Sequence, residues 1–254
     1  MSMWLDGSAQ EAVNLFWESC GEEEPFPRNL ERPVALALPV ALIRLPRLTL
    51  DDVEGWSRRR GAALRFGCES RPIRGCVVGY RGCGLIFVDG ADPDDERRFT
   101  LAHEAAHFMI DYWLPRQLAI RKLGLSITDV LDGLREPTLS EKVHAFLGGA
   151  SMEVYTQLME RDEVHGYVHS KVWSAEDKAD RVAMALLAPP ETVLAEVDVS
   201  AARFDERHSV MQSVLSVRFG LPTYMAASYG FVLLTDIGLG PSWVEDISGS
   251  EFRR

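Results

Sequence analysis

Residues 103–107, with the sequence HEAAH, constrain the fold of this chain more than any other feature. Two histidines four residues apart leave the same face of an α-helix, one turn from each other. Their imidazole nitrogens can then meet one metal ion at ~2.0–2.1 Å. Glu104 lies about 100° further round the helix, where it can reach a water on that ion without binding the ion itself. The motif predicts a helix that carries a zinc site on His103 and His107, with Glu104 as the catalytic general base.

Local signals around the motif predict a strand pair followed by this helix. Residues 74–80 and 84–89 are rich in Val, Ile and Phe and are separated by a short turn, which is typical of a β-hairpin. The metal helix is then predicted to begin with Asp92 as its N-cap and Pro93 at its first position. Three acidic residues follow in the first turn, where the helix dipole favours negative charge. We expect this helix to continue to about Tyr112.

The rest of the chain is predicted to be mainly helical. The predicted helices span residues 9–19, 49–60, 210–218 and 223–234, with a further helix from about 175 to 188 and interrupted helical segments over 114–161. The chain is expected to divide into an N-terminal helical segment and linker (1–33), a main domain (34–236) with a helical insertion at about 113–170, and a C-terminal tail (237–254).

A catalytic zinc ion takes three protein ligands and a water, so a third ligand must come from elsewhere in the chain. Glu176 is the best candidate, because it shares a helix face with Asp180 at a spacing of four residues. One carboxylate could then bind the ion while the other accepts the free N–H of a ligand histidine. The residues alone leave open a second interpretation, in which both belong to a solvent-exposed acidic first turn.

The flanks of these two segments resemble one protein family. Residues 98–107, RFTLAHEAAH, follow an apolar strand at 85–88, and residues 176–189 have the sequence EDKADRVAMALLAP. The ImmA/IrrE family of metallo-endopeptidases carries RFTLAHExxH after an edge strand, and then ExxA(N/D)xFAxxLLMP. Val182 replaces the Phe of that pattern and Ala188 replaces the Met. Both changes are apolar, so we expect them to affect packing rather than chemistry.

The resemblance, which covers about residues 41–190, implies a zinc endopeptidase with an α+β, zincin-like fold. In such a fold the metal helix lies beneath the edge of a small, mostly antiparallel sheet, and the strand before that helix offers an edge to an extended peptide substrate. By the same resemblance, His103, His107 and Glu176 would be the zinc ligands and Glu104 the base. Members of the family often act on regulatory proteins, including helix-turn-helix repressors. A protein partner of this kind and limited, site-specific cleavage are therefore expected.

The segment between the two motifs is longer than the resemblance implies. Residues 139–158 within it could form a lid or a docking surface for the substrate, or a helical insertion that thickens the core. Further along, His165, Tyr167 and His169 lie a few residues before Glu176, and one of them could stabilise the oxyanion of the tetrahedral intermediate. The alternative is that these histidines are exposed or have structural hydrogen bonds.

Composition bounds the remaining possibilities. A net charge of −11 argues against nucleic-acid binding, and residues 223–234, the second helix of a possible helix-turn-helix, contain no Arg or Lys. We therefore expect the C-terminal helices to pack in the core. No apolar run is long enough to span a bilayer and the N-terminus lacks the pattern of a secretory signal, so a cytoplasmic location is expected. Cys68, Cys76 and Cys83 are not spaced as metal ligands and are expected to be buried apolar side chains.

Two other functions stay open on the sequence. One is a regulatory interaction protein on a catalytically silent zincin scaffold, in which the long segment between the motifs has the functional role. The other, less favoured because of the negative charge, is a DNA-binding regulator that uses the C-terminal helices. For the metal, zinc is favoured over manganese or iron, since an open site of two histidines and one glutamate suits zinc.

Overall fold

The computed structural model describes residues 5–21, 23–60, 64–142, 154–160, 170–200 and 203–241. These residues form an α+β structure, in which a mixed four-stranded sheet has helices on both faces. The strands are β1 (Val40–Leu45), β2 (Ile73–Tyr80), β3 (Cys83–Asp89) and β4 (Tyr155–Glu160). The helices are α1 (Gly7–Cys20), α2 (Glu31–Ala37), α3 (Leu50–Arg59), α4 (Asp94–His107), α5 (Leu114–Leu123), α6 (Thr128–Leu131), α7 (Ser170–Leu187), α8 (Pro190–Glu196), α9 (Phe204–Val217) and α10 (Thr223–Asp236). A π-helical turn, Phe108–Trp113, continues α4 into α5, and a 3-10 turn, Leu125–Ile127, precedes α6.

The strand order in the sheet is β1-β3-β2-β4. Strands β2 and β3 form the predicted antiparallel hairpin, with Tyr80 paired to Cys83. The turn residues Arg81 and Gly82 have φ angles of 50° and 78°, and such positive values match the right-handed twist of the two strands. Strand β1 is parallel to β3, and β4 is antiparallel to β2. The sheet is therefore mixed, with antiparallel pairing around β2.

Two predictions about the sheet are wrong. Strand β3, which precedes the metal helix, is not at the sheet edge, because β1 pairs with it on the side away from β2. The two edge strands of the described sheet are β1 and β4, and β4 lies in a segment predicted to be helical. Its residues include good helix formers, but Tyr155 and Met159 pack against the main core while Leu158 packs on the opposite face. Pairing with β2 therefore decides the conformation of this segment over its local preference.

The starts of two helices also differ from the predictions. Helix α4 begins at Asp94, and its N-cap position is Pro93, without a side-chain cap. Pro93 has the extended conformation of an N-cap residue, with ψ of 157°, so Asp92 lies one position before the N-cap. Helix α7 begins at Ser170, so Glu176 lies in its second turn. The interpretation of Glu176 as part of an acidic first turn is therefore excluded.

Glycines on the sheet allow α4 and the π-helical turn to approach it closely. A Cβ atom at Gly84 on β3 would lie 2.6 Å from the ring of Phe108. At Gly79 on β2 it would lie 2.8 Å from the ring of Tyr112. These distances are shorter than van der Waals contact, so the helix packs at this depth only because both positions lack side chains.

The main core lies on the α4 side of the sheet. It joins apolar residues of α1, α4, α7 and the C-terminal helices, among them Phe16, Phe99, Val182, Leu215 and Tyr229. The Tyr229 hydroxyl donates a 2.9 Å hydrogen bond to the carbonyl of Ala188, just after α7. The expectation that α9 and α10 pack in the core is therefore confirmed. A smaller cluster under α3, including Val53 and Phe87, covers the other face of the sheet.

The cysteines are only partly as predicted. Cys76 is buried in the sheet, but Cys68 and Cys83 are exposed. Cys83 is exposed because it adjoins the hairpin turn, and Cys68 because it lies in the loop before β2. Among the described helices, none has the length and apolar character needed to cross a membrane.

Replacing Gly84 with Ala should destabilise the protein by about 1–3 kcal/mol, because the new methyl group overlaps Phe108 and Val40. The control is Gly55→Ala in α3, where the Cβ would make an ordinary 3.5 Å contact with Arg59. That substitution should stabilise the protein by about 0.5–1 kcal/mol through helix propensity. Urea unfolding followed by circular dichroism measures both, and equal stabilities of the two variants would contradict this packing.

Candidate metal centre

Three side chains from two helices converge at one point. Helix α4 contributes His103 and His107, and helix α7 contributes Glu176. The Nε2 atoms of the two histidines are 3.1 Å apart. Glu176 Oε2 lies 3.3 Å from His103 Nε2 and 3.5 Å from His107 Nε2. The sequence-based prediction that a third acidic residue approaches the histidine pair thus matches the observed arrangement.

The second nitrogen of each imidazole is held by a carboxylate. His103 Nδ1 is 2.8 Å from Asp180 Oδ1, and His107 Nδ1 is 2.7 Å from Asp111 Oδ2. A carboxylate only accepts, so both Nδ1 atoms carry the hydrogen and donate it. In the neutral imidazole the lone pair is then on Nε2, which faces Glu176. Whenever both imidazoles are neutral, the site therefore directs three electron pairs at one point.

The spacing of these three atoms fits a metal ion. Ligand atoms placed tetrahedrally at ~2.0–2.1 Å from zinc are about 3.3–3.4 Å apart. The three observed separations, 3.1, 3.3 and 3.5 Å, bracket that value. His103 and His107 are 3% and 0% exposed, so these atoms converge in a buried place. The donor set and its dimensions could therefore hold a metal ion.

Hydrogen bonds and charge couple the groups of the site. Burial lowers the pKa of His103, but its hydrogen bonds with Asp180 and Glu176 outweigh this effect and raise the pKa to about 10. Burial also lowers the pKa of His107, and Asp111 and Glu176 raise it above its ordinary value. Burial raises the pKa of Glu176, but the two imidazoles hold it well below its usual range. The acidic groups therefore favour positive charge at this point, whether a proton or a metal ion carries it.

Glu104 is fully buried next to His103. Among the described residues no donor reaches its carboxylate oxygens at ordinary hydrogen-bond geometry, although the backbone of Val77 lies near enough to lower its pKa. Burial raises its pKa to about 7, although charge on the two histidines acts in the opposite direction. Gly75 on β2 leaves the necessary space, since a Cβ there would lie 2.8 Å from Glu104 Oε1. The carboxyl group can therefore exchange a proton near neutral pH.

Two residues of β4 complete the surroundings of the site. The side-chain amide of Gln157 donates a hydrogen bond to Glu176 Oε1. The Tyr155 hydroxyl donates to Asp111 Oδ2 over 3.1 Å. Sequence reasoning missed both, because this strand was predicted to be helical. Asp111 was also missed, although its spacing of four residues from His107 on a helix is a signal that could have identified it.

Four further residues were predicted to belong to the site. Asp180 lies where the sequence placed it, against a histidine of the pair. The candidate oxyanion stabilisers His165, Tyr167 and His169 fall outside the described residues, so that prediction stands as made.

Comparison with known proteins finds no matching family model, no matching curated protein and no matching solved structure. The description of the site therefore depends on its own residues and their geometry. At that level the chain contains a buried His/His/Glu group that could hold a metal ion.

Replacing Glu104 with Gln should change how the stability of the metal-free protein depends on pH. The folded-state pKa of about 7 lies above the ordinary value of 4.5, so the folded protein retains this proton over the interval between them. Stability of the wild-type protein should thus fall relative to Glu104→Gln from about pH 4 to about pH 8, by up to about 3 kcal/mol. Urea unfolding of both proteins in EDTA measures the difference. A difference that stays constant over this range would contradict the raised pKa.

Proposed function

We propose that this protein is a zinc-dependent endopeptidase with a zincin-like fold. The observation that carries the proposal is the convergence of His103, His107 and Glu176 beside the buried carboxylate of Glu104. Hydrolysis of a peptide bond is accelerated by a Lewis acid together with a nearby proton acceptor. His103, His107 and Glu176, the triad, would hold the Lewis acid, and Glu104 beside them would be the proton acceptor.

In this proposal, His103 and His107 bind the ion through Nε2 and Glu176 through Oε2. Two histidines and a glutamate are one of the ligand sets that catalytic zinc uses in hydrolases. A zinc ion held by these residues would lower the pKa of a bound water from ~15.7 to about 7 and would polarise a carbonyl group. Asp180 and Asp111 keep each imidazole in the tautomer whose Nε2 lone pair is free to bind.

Glu104 carries the proton. Its buried carboxylate can take up the proton that the attacking water loses. It then delivers that proton to the leaving nitrogen as the C–N bond of the substrate breaks, so that the product leaves as a neutral amine. Burial of Glu104 excludes bulk water, which would otherwise compete for the same proton.

Strand β4 is the proposed docking edge for the substrate. Among the described strands it pairs on one side only, with β2. On its inner face, Tyr155 contacts Asp111 and Gln157 contacts Glu176 itself. An extended peptide that adds to the free edge of β4 would therefore place its carbonyl groups close to the metal ligands, held by main-chain hydrogen bonds.

The proposed substrate class is a regulatory protein, such as a helix-turn-helix repressor. The support is the resemblance of residues 98–107 and 176–189 to the two ImmA/IrrE motifs. Limited cleavage of an extended segment also fits docking on a single strand edge, because only a flexible stretch of a folded protein can add to a sheet in this way.

The Glu104→Gln variant should keep one equivalent of zinc and lose cleavage by about 10²–10⁴-fold, because the amide holds the same shape and cannot accept the proton. Zinc content is measured by mass spectrometry of the purified proteins. Cleavage is measured by N-terminal proteomics of cells that express either protein. New protein N-termini should appear with the wild type and be absent with the variant.

The matched control is Glu11→Gln on the exposed face of α1, which should give the same N-termini as the wild type. Cleavage that persists in Glu104→Gln would refute the role of Glu104. Zinc binding without any wild-type cleavage would favour the alternative, a regulatory interaction protein on a silent scaffold. Failure of the wild type to bind zinc or a related divalent ion would refute the metal site.

A further inference from the structure

Strand β4 places two polar side chains against the metal centre that the proposed hydrolysis does not use. The strand alternates, so that Tyr155, Gln157 and Met159 lie on the side of the metal helix and Leu158 lies on the other side. Polar side chains on the core-facing side of an edge strand are unusual, because they must be desolvated and therefore need partners. Both polar residues have such partners. Gln157 contacts Glu176, one of the three converging residues, and Tyr155 contacts Asp111, which accepts a hydrogen bond from His107.

Gln157 fixes the orientation of the third ligand. Its amide nitrogen faces Glu176 Oε1, and this assignment is required because a carboxylate has only acceptors. The other oxygen, Oε2, is then directed at His103 and His107, at 3.3 and 3.5 Å. A glutamate has three side-chain torsions, and a hydrogen bond to one oxygen restricts which way the other can point.

Tyr155 acts on the second histidine through Asp111. Its hydroxyl donates to Asp111 Oδ2, the same oxygen that accepts from His107 Nδ1 at 2.7 Å. The Tyr155 ring stacks on Tyr112 with the two ring planes at 26°, which fixes the direction of the hydroxyl. Asp111 thus has a second donor in addition to the imidazole. The pair of hydrogen bonds limits its side-chain rotation and with it the rotation of His107.

We propose that Gln157 and Tyr155 are positioning residues for the metal site, Gln157 by orienting Glu176 and Tyr155 by fixing Asp111 against His107. The inference deepens the proposed function and depends on it for the metal. Two of the proposed ligands lie on one helix, α4, whereas the third lies on α7. Strand β4 connects the two helices through side-chain hydrogen bonds, so it sets how well the three ligands are arranged before the ion binds.

The experiment measures metal affinity rather than activity. The variants are Gln157→Leu, which removes the donor at similar size, and Tyr155→Phe, which removes only the hydroxyl. Thr156→Val is the control, since this residue is on the opposite side of the same strand and the change is close to isosteric. Zinc dissociation constants are obtained by competition with a chromophoric chelator. The visible absorption spectrum of each Co²⁺-loaded protein reports the coordination geometry.

Loss of the Gln157 donor should raise the zinc dissociation constant about 10–100-fold and alter the Co²⁺ spectrum. Tyr155→Phe should give a smaller rise, and Thr156→Val none. A double-mutant cycle tests the route through Asp111. In an Asp111→Ala background, Tyr155→Phe should have no further effect on zinc affinity, because the group through which it acts is gone.

Wild-type zinc affinity in both Gln157→Leu and Tyr155→Phe would overturn the inference and leave the metal site standing. An undiminished effect of Tyr155→Phe in the Asp111→Ala background would overturn the assigned route. If the wild type itself binds neither zinc nor cobalt, the proposed function fails and this inference with it. Urea unfolding of the metal-free variants controls for folding. Should Gln157→Leu not fold, Gln157→Met provides the same test with a more flexible side chain.

Discussion

The close packing of helix α4 against helix α7 is the constraint on which the rest of this structure depends. Both helices bury small side chains in the core, Ala102, Ala105 and Ala106 on the first and Ala179 and Ala183 on the second. Helices with small residues at their contact can approach more closely than helices with large ones. This approach brings Glu176 to within 3.5 Å of both histidines, which are far away in sequence. Glycines of the sheet allow α4 the matching depth on its other side.

The same closeness concentrates charge in a buried place. Four carboxyl groups, those of Glu104, Asp111, Glu176 and Asp180, surround two imidazoles. Such an excess of acid is costly in a low-dielectric interior unless cations balance it. Protons on the imidazoles provide that balance in the protein itself, since hydrogen bonds with Asp180 and Glu176 raise the pKa of His103 to about 10 against the effect of burial. The pKa of Glu104 is raised to about 7 mainly by burial. A divalent cation would balance the same charge. The packing of the acidic groups and the proposed chemistry therefore both require positive charge at this site.

The sequence predicts the parts of this site that lie on continuous helices. The histidine pair, Glu104 and the Glu176–Asp180 pair could be inferred because helical periodicity converts spacing into shared faces. Strand β4 could not, since YTQLME has no strong strand preference and its conformation is decided by pairing with β2, about 80 residues earlier. The interior position of β3 was missed for the same reason, because β1 pairs with it from a distance. Local signals therefore predicted the residues that converge, His103, His107 and Glu176, whereas long-range pairing decides which strand lies beside them.

The central claim is that His103, His107 and Glu176 form one metal site. X-ray absorption at the zinc edge tests this claim most directly. The zinc-loaded wild-type protein should show two imidazole nitrogens and one or two oxygens at ~2.0–2.1 Å, with no sulfur. The spectrum of His107→Ala should retain one imidazole or show no stoichiometric zinc. A wild-type spectrum without imidazole scattering, or with sulfur at ~2.3 Å, would contradict the claim, since the metal would then be bound elsewhere.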